Sequence, residues 1–234
     1  MSVVAEQLSI EVGKSGHVSA LLMRPKTARA CYVFAHGAGA GMRHASMEAI
    51  ATGLAERGIA TLRYQFPYME KGGKRPDSPA VAHSAVRAAV AEAAKVCPGL
   101  PLLAGGKSFG GRMTSQAQAA SPLEGVVGIA FFGFPLHPAG KQAVNRAAHL
   151  FDVEIPMLCL QGTRDALADA SLLKHIVREI NALSESHPGE LVTLHFAEGA
   201  DHSFHVLKSS GRNDCEVMTE ILDAFSAWAD KLLA

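Results

Sequence analysis

The stretch from Leu102 to Met113 constrains the fold of this chain most strongly. An apolar run ends at Gly105-Gly106, a single serine follows at position 108, and two more glycines precede a helix-favouring segment. Residues Gly106–Gly110 fit the pattern G-x-S-x-G, in which a strand turns so sharply into a helix that only glycine fits on either side of the serine. The pattern predicts a strand–turn–helix unit that holds the Ser108 hydroxyl at one edge of a sheet, beside the unpaired N–H groups of a helix start.

Two other interpretations of these letters stay open. Gly106-Lys107-Ser108 also resembles the end of a phosphate-binding P-loop, although that motif needs a glycine where this chain has Pro101. Alternatively, the segment is a structural turn whose serine takes no part in chemistry. Because G-x-S-x-G is short enough to occur by chance, the rest of the chain has to distinguish these interpretations.

Strands and helices alternate along the remaining sequence. Two segments around Gly13 alternate apolar and polar residues, which predicts an antiparallel hairpin over 7–12 and 17–24. Apolar runs predict further strands at 30–35, 59–63, 100–104, 126–132, 156–160 and 191–196, and helix-favouring segments lie at 46–57, 80–96, 109–120, 168–183 and 214–233. This alternation predicts a mostly parallel eight-stranded α/β sheet with helices on both faces. No linker divides the chain, so we expect one domain over residues 1–234.

Charge and composition exclude several classes of partner. Lys and Arg together number 22, and so do Asp and Glu, which leaves no basic footprint for nucleic acid or for a membrane surface. The apolar runs are far shorter than the roughly 20 residues of a membrane span. The N-terminus has no secretory pattern, and the four cysteines are scattered, without a C-x-x-C pair. We therefore expect a cytoplasmic protein that acts on a small molecule.

A serine hydroxyl needs a base to take its proton and a third group to orient that base. Asp165 follows the predicted strand 156–160, and His202 follows the strand 191–196. Because the carboxyl ends of parallel strands meet at one edge of a sheet, these side chains are expected to converge on Ser108. The order Ser, Asp, His also fits this type of site. The sequence predicts Ser108 as nucleophile, His202 as base and Asp165 as orienting acid. Asp169 is the alternative candidate for the acid, but we expect it to cap the helix that follows.

A pair of backbone N–H groups is expected to bind the oxyanion that forms when Ser108 attacks a carbonyl. Phe109 supplies the first, because it opens the helix after the serine. The second is expected from Ala38, with Gly37 beside it, in the loop His36–Gly41 after strand 30–35. His36 is expected to pin this loop by a hydrogen bond. The glycines allow the backbone to approach a substrate closely.

These motifs together resemble the α/β-hydrolases, specifically the small type similar to dienelactone hydrolase. The matching elements are His36-Gly37-Ala38-Gly39-Ala40, Gly106 to Gly111, Gly162 to Asp165 and Gly199 to His202. The segment Arg63 to Pro79 resembles a lidless group that includes a relative within a eukaryotic histone acetyltransferase complex. The resemblance implies an acyl hydrolase without metal or organic cofactor and without a large cap domain. Dienelactone hydrolases use a cysteine nucleophile, whereas Ser108 stands here, which favours a serine-esterase-like reaction.

Four further residues are candidates for substrate binding: Tyr68, Arg75, Phe134 and His205. The segment Gly133–Leu150 is the only candidate for a partial lid. His202 and His205 also suggest a metal, but no third ligand lies nearby at a metal-site spacing. We therefore expect a serine hydrolase acting on a small ester, thioester or similar acyl compound. The alternatives are a catalytically silent binding or scaffolding module on the same fold and a nucleotide-binding protein.

Overall fold

The computed structural model describes residues 3–184 and 189–234, and within them one sheet of eight strands organises the chain. The strands are β1 (Glu6–Glu11), β2 (His17–Met23), β3 (Ala30–Ala35), β4 (Ile59–Tyr64), β5 (Leu102–Lys107), β6 (Val126–Phe132), β7 (Met157–Gly162) and β8 (Val192–Ala197). The helices are α1 (Ala45–Glu56), α2 (Pro67–Glu70), α3 (Pro79–Val96), α4 (Phe109–Ala120), α5 (Ala170–Leu183) and α6 (Asp214–Leu233). Three short 3₁₀ helices lie at Gly13–Ser15, Asn145–Asp152 and Lys208–Ser210.

The strand order across the sheet is β1-β2-β4-β3-β5-β6-β7-β8. β1 pairs with β2 and β2 with β4 in antiparallel fashion, and every other pairing is parallel. The predicted hairpin and the mostly parallel sheet are confirmed. Since β3 to β8 all run the same way, the loops that follow them meet at one edge, where the predicted site residues lie.

Side-chain alternation along the strands explains the layered packing. Cys31, Val33 and Ala35 of β3 join the core beneath α3 and α4, while Tyr32 and Phe34 join the core beneath α1 and α6. α5 packs on the same face as α3 and α4, through a third cluster around β6 and β7. Strands buried on both faces need continuous apolar runs, and this is the pattern by which the sequence predicted them.

Two segments contain short helices that the sequence analysis did not predict. The segment between β4 and α3 contains α2, which begins at Pro67, where the fixed φ of proline suits the first helical position. The long connection between β6 and β7 contains the 3₁₀ helix Asn145–Asp152, which packs against α4. No cap domain interrupts residues 3–184 or 189–234. Among the described residues, no helix is long and apolar enough to cross a membrane.

Candidate active site

Ser108 occupies a strained turn between β5 and α4. Its φ of 51° lies in the left-handed region, which residues other than glycine rarely adopt. The turn is fixed on both sides, because the Ser108 N–H donates to the Phe132 carbonyl at 3.2 Å and the Ser108 carbonyl accepts from the Arg112 N–H at 3.1 Å. The hydroxyl does not cap α4. The strained turn therefore lies at the end of β5, and the Ser108 hydroxyl is not used to start α4.

Glycines around the serine leave room for neighbouring backbone. A Cβ on Gly106 would lie 2.5 Å from the Ala35 carbonyl oxygen, and one on Gly110 would lie 2.5 Å from the His36 carbonyl oxygen. Any side chain at these positions would push β3 and its following loop away from the turn. The G-x-S-x-G spacing thus reflects close backbone packing at the end of β3.

Asp165 and His202 form a hydrogen-bonded pair, with 2.6 Å between Asp165 Oδ2 and His202 Nδ1. The Asp165 side chain is completely buried, and it also accepts hydrogen bonds from the Leu167 N–H at 2.8 Å and from the Gln161 side-chain amide. With Nδ1–H donated to the carboxylate, His202 Nε2 remains as a proton acceptor. Asp169 instead caps α5, accepting from the Ser171 and Leu172 N–H groups, as predicted for it.

The His202 ring lies beside the turn that carries Ser108. A Cβ on Gly133, the residue after Phe132, would lie 3.3 Å from His202 Cε1, so the ring packs directly on this glycine. The Lys107 ammonium donates to the His202 carbonyl at 2.9 Å. Within the residues described, the Ser108 hydroxyl is not hydrogen-bonded to His202. Hydrogen bonds between catalytic groups are often long in structures without a ligand and tighten when substrate binds.

The Lys107 side chain contacts the loop after β8 that carries His202. Besides the His202 carbonyl, its ammonium lies 5.2 Å from the centre of the Phe204 ring, and burial lowers the pKa of Lys107 to about 8 despite the nearby Asp165 and Asp201. In a P-loop, the residues before Gly-Lys-Ser form a loop around the phosphate. Here those residues belong to β5, which continues to Lys107, and α4 begins at Phe109. The structure therefore contradicts the interpretation of this segment as a P-loop.

The glycine-rich loop after β3 lies next to Ser108. A Cβ on Gly37 would lie 3.8 Å from Ser108 Cβ. The buried His36 ring accepts from the Phe66 N–H at Nε2 (3.0 Å), which places its proton on Nδ1, 2.7 Å from the Gly37 carbonyl. Because the Gly37 carbonyl and the Ala38 N–H share one peptide unit, this hydrogen bond orients the Ala38 N–H. The predicted pinning role of His36 is confirmed.

We expect this arrangement to make the protein sensitive to acid. Burial lowers the pKa of His36 from 6.5 to about 4, whereas an unfolded chain takes up the proton near 6.5. The unfolded state therefore binds protons first, and stability is lost as the pH falls from about 6.5 to about 4, by ~3 kcal/mol for this residue. An NMR titration should find the His36 imidazole neutral at pH 5. A His36 that titrates near pH 6.5 would contradict this account.

The four residues predicted to bind substrate have different surroundings. Phe134 is fully buried in the core with Phe131, so its ring is not open to a ligand. Tyr68 is also buried, and its hydroxyl donates to the Ala38 carbonyl at 2.8 Å. His205 is exposed and pairs with Asp214, which raises the pKa of His205. Arg75 is exposed on the segment after α2.

Sequence analysis missed Gln161 at the end of β7. Its buried amide donates to Asp165 and accepts from the Phe134 N–H at 2.8 Å, so it joins the acid to the end of β6. One signal was available, because a glutamine that closes an apolar strand four residues before Asp165 needs buried hydrogen-bond partners. Within 3–184 and 189–234, no three His, Cys, Asp or Glu side chains group as a metal site.

Comparison with known proteins agrees with the fold. A serine hydrolase without a lid from Xanthomonas campestris is 19% identical, with a TM-score of 0.71 over 96% of this chain and 95% of its own. A dienelactone hydrolase from Anabaena variabilis is 20% identical, with a TM-score of 0.69 over 97% of each chain. A serine hydrolase homologue from Coxiella burnetii is 22% identical, with a TM-score of 0.72 over 95% and 97%. A family model described as an alpha/beta hydrolase domain matches residues 28–230, and the chain therefore belongs to the α/β-hydrolase family.

Proposed function

We propose that this protein is a serine hydrolase that cleaves a small ester, thioester or similar acyl compound through Ser108, His202 and Asp165. The observation that carries the proposal is the buried Asp165–His202 pair, whose ring packs beside the strained turn of Ser108. A buried carboxylate that orients an imidazole next to a strained serine has little structural purpose, since burying charge and straining the backbone both cost stability. Membership of the α/β-hydrolase family supports the same conclusion.

The proposed reaction begins with proton transfer from Ser108 Oγ to His202 Nε2 while Oγ attacks the acyl carbonyl. The carbonyl oxygen becomes an oxyanion that accepts hydrogen bonds from the N–H groups of Phe109 and Ala38, with Gly37 allowing close approach. Asp165 stabilises the imidazolium form of His202 throughout. When the intermediate collapses, His202 returns the proton to the departing alcohol or thiol, and the acyl group remains on Ser108.

Water then completes the cycle. His202 Nε2 takes a proton from the water as its oxygen attacks the acyl-enzyme carbonyl, and the same oxyanion site stabilises the second intermediate. Collapse breaks the bond between Ser108 Oγ and the acyl carbon, and the proton returns to Oγ. The carboxylic acid leaves. No cofactor or metal takes part in this proposed route.

Turnover of a substrate panel tests the proposal. We expect the native protein to hydrolyse some members of a set of p-nitrophenyl esters and acyl thioesters of increasing chain length, with the Ser108→Ala variant as control. No turnover on the whole set, together with capture of a stoichiometric protein partner, would instead support a catalytically silent binding module.

A further inference from the structure

The segment Arg63–Glu70, from the end of β4 through α2, braces the glycine-rich loop His36–Met42. We call this segment the β4–α2 brace. Its polar groups hold the loop at three places: the His36 ring, the Ala38 carbonyl and the backbone of Met42. A loop with glycine at three of its seven positions would otherwise sample many backbone conformations. The contacts of the brace therefore restrict the backbone conformations that the loop can adopt.

At the far end of the loop, two side chains of the brace hold Met42. Its N–H donates to Gln65 Oε1 at 2.9 Å, and its carbonyl accepts from Arg63 Nη1 at 3.3 Å. Arg63 is only 1% exposed, and its Nε has no hydrogen-bond partner among the described residues. A buried guanidinium this poorly paired costs stability. Within 3–184 and 189–234, its one hydrogen bond to another residue goes to the loop, at the Met42 carbonyl.

At the centre of the loop, Tyr68 holds the Ala38 carbonyl. The 2.8 Å hydrogen bond comes from a hydroxyl whose ring packs against the rings of His36, Phe66 and Phe109. Burial raises the pKa of Tyr68 to about 12, so the hydroxyl keeps its proton at any ordinary assay pH. The Tyr68 hydroxyl therefore remains a donor to the Ala38 carbonyl over that pH range.

The brace itself is fastened at both ends of α2. The Tyr68 N–H donates to Asp77 Oδ2 at 2.9 Å. The Glu70 carboxylate accepts from the Ser19 N–H at 2.9 Å and from the Ser19 hydroxyl at 2.8 Å, which ties α2 to β2. Carboxylate hydrogen bonds of this kind are stronger than neutral ones. Tyr68 thus acts from a fixed platform and not from a mobile loop.

We propose that Tyr68 is a positioning residue for the oxyanion site, and not a substrate-binding one. His36 fixes the peptide unit before Ala38 through the Gly37 carbonyl, and Tyr68 fixes the one after it through the Ala38 carbonyl. Because both peptide units are fixed by hydrogen bonds, the orientation of the Ala38 N–H is fixed as well. A donor set in advance needs no reorganisation when the oxyanion forms. This inference rests on the proposed function, because it gives Tyr68 a role only if Ala38 binds an oxyanion.

The Tyr68→Phe variant tests the inference, because it removes one oxygen and keeps the ring. Losing a whole oxyanion donor costs on the order of 10² to 10³ in kcat, so a loosened donor should cost about 10-fold. We expect kcat to fall by that factor with KM unchanged, and the rate of inactivation by a fluorophosphonate to fall in parallel. Tyr32→Phe is the matched control, since the Tyr32 hydroxyl also donates to a backbone carbonyl at 2.8 Å, that of Ala130 in β6. Its kcat should stay at the native value.

Each other outcome overturns the inference in a recognisable way. A raised KM with native kcat in Tyr68→Phe would assign Tyr68 to substrate binding. A lower melting temperature in both variants, with kcat unchanged in both, would assign the hydroxyl to stability alone. If the native protein neither turns over any ester nor reacts with the fluorophosphonate, the proposed function fails, and the inference fails with it.

Discussion

Replacing Ser108 with alanine is expected to reduce kcat by about 10⁶-fold, the size of effect found when a serine nucleophile is removed from a triad. The change removes the only protein atom that forms a bond to the acyl group in the proposed reaction. Ser108 does not cap α4 through its side chain, so the helix start loses no hydrogen bond. Steady-state hydrolysis of the best substrate, measured beside a circular dichroism melt, gives both the activity and the fold.

The matched control for this prediction is Ser115→Ala on the same helix. The Ser115 hydroxyl lies 2.7 Å from His149 Nε2, so this variant removes a helix serine oxygen that is hydrogen-bonded to a histidine, away from Asp165 and His202. We expect it to keep the native kcat to within a small factor. If Ser108→Ala retains more than a few per cent of native kcat, Ser108 is not the nucleophile.

The Asp165→Asn variant is expected to lower kcat by about 10⁴-fold while leaving the protein folded. Oδ1 of Asp165 accepts from the Leu167 N–H, and Oδ2 accepts from Gln161 and from His202 Nδ1. An amide can offer an oxygen to only one of these two positions. If its NH₂ group takes the Oδ2 position, His202 Nδ1 must accept, and the proton moves to Nε2, where it blocks abstraction from Ser108.

The pH dependence distinguishes this tautomer effect from simple loss of structure. With the carboxylate gone, the base is weaker, so the residual activity should keep rising into the alkaline range, where hydroxide replaces His202 as the base. An Asp165→Asn variant with native kcat would remove Asp165 from the mechanism and leave Asp169, the α5 cap, as the only predicted rival.

The fold was predictable because strands, helices and turns each follow from residues that are close together in the sequence. β3 and β5 contain apolar runs with glycines close by, so their strand type follows from the sequence, although β5 covers Leu102–Lys107 and not the predicted 100–104. The turn at Ser108 was predictable for the same reason, since the two glycines that it requires, Gly106 and Gly110, lie within one stretch of five residues. The pairing of Asp165 with His202 followed from topology, because parallel strands end at one edge.

The supporting contacts were not predictable in the same way. From the sequence, Tyr68 was predicted to bind substrate. The structure shows instead that its hydroxyl donates a hydrogen bond to the Ala38 carbonyl. Lys107 lies within a motif shared with P-loops, yet its ammonium contacts a carbonyl 95 residues away in the chain. Phe134 follows β6 at the sheet edge, but its ring turns into the core. Such contacts depend on tertiary distances, which no local pattern encodes.

Covalent labelling tests the central claim most directly. Among residues 3–184 and 189–234, Ser108 is the one serine on a strained turn beside a histidine that is oriented by a buried carboxylate. We predict that a fluorophosphonate adds one group per chain to the native protein, that peptide mapping finds it on Ser108, and that excess substrate slows the reaction. Native protein that stays unlabelled, or that carries the group on another serine, would contradict the account.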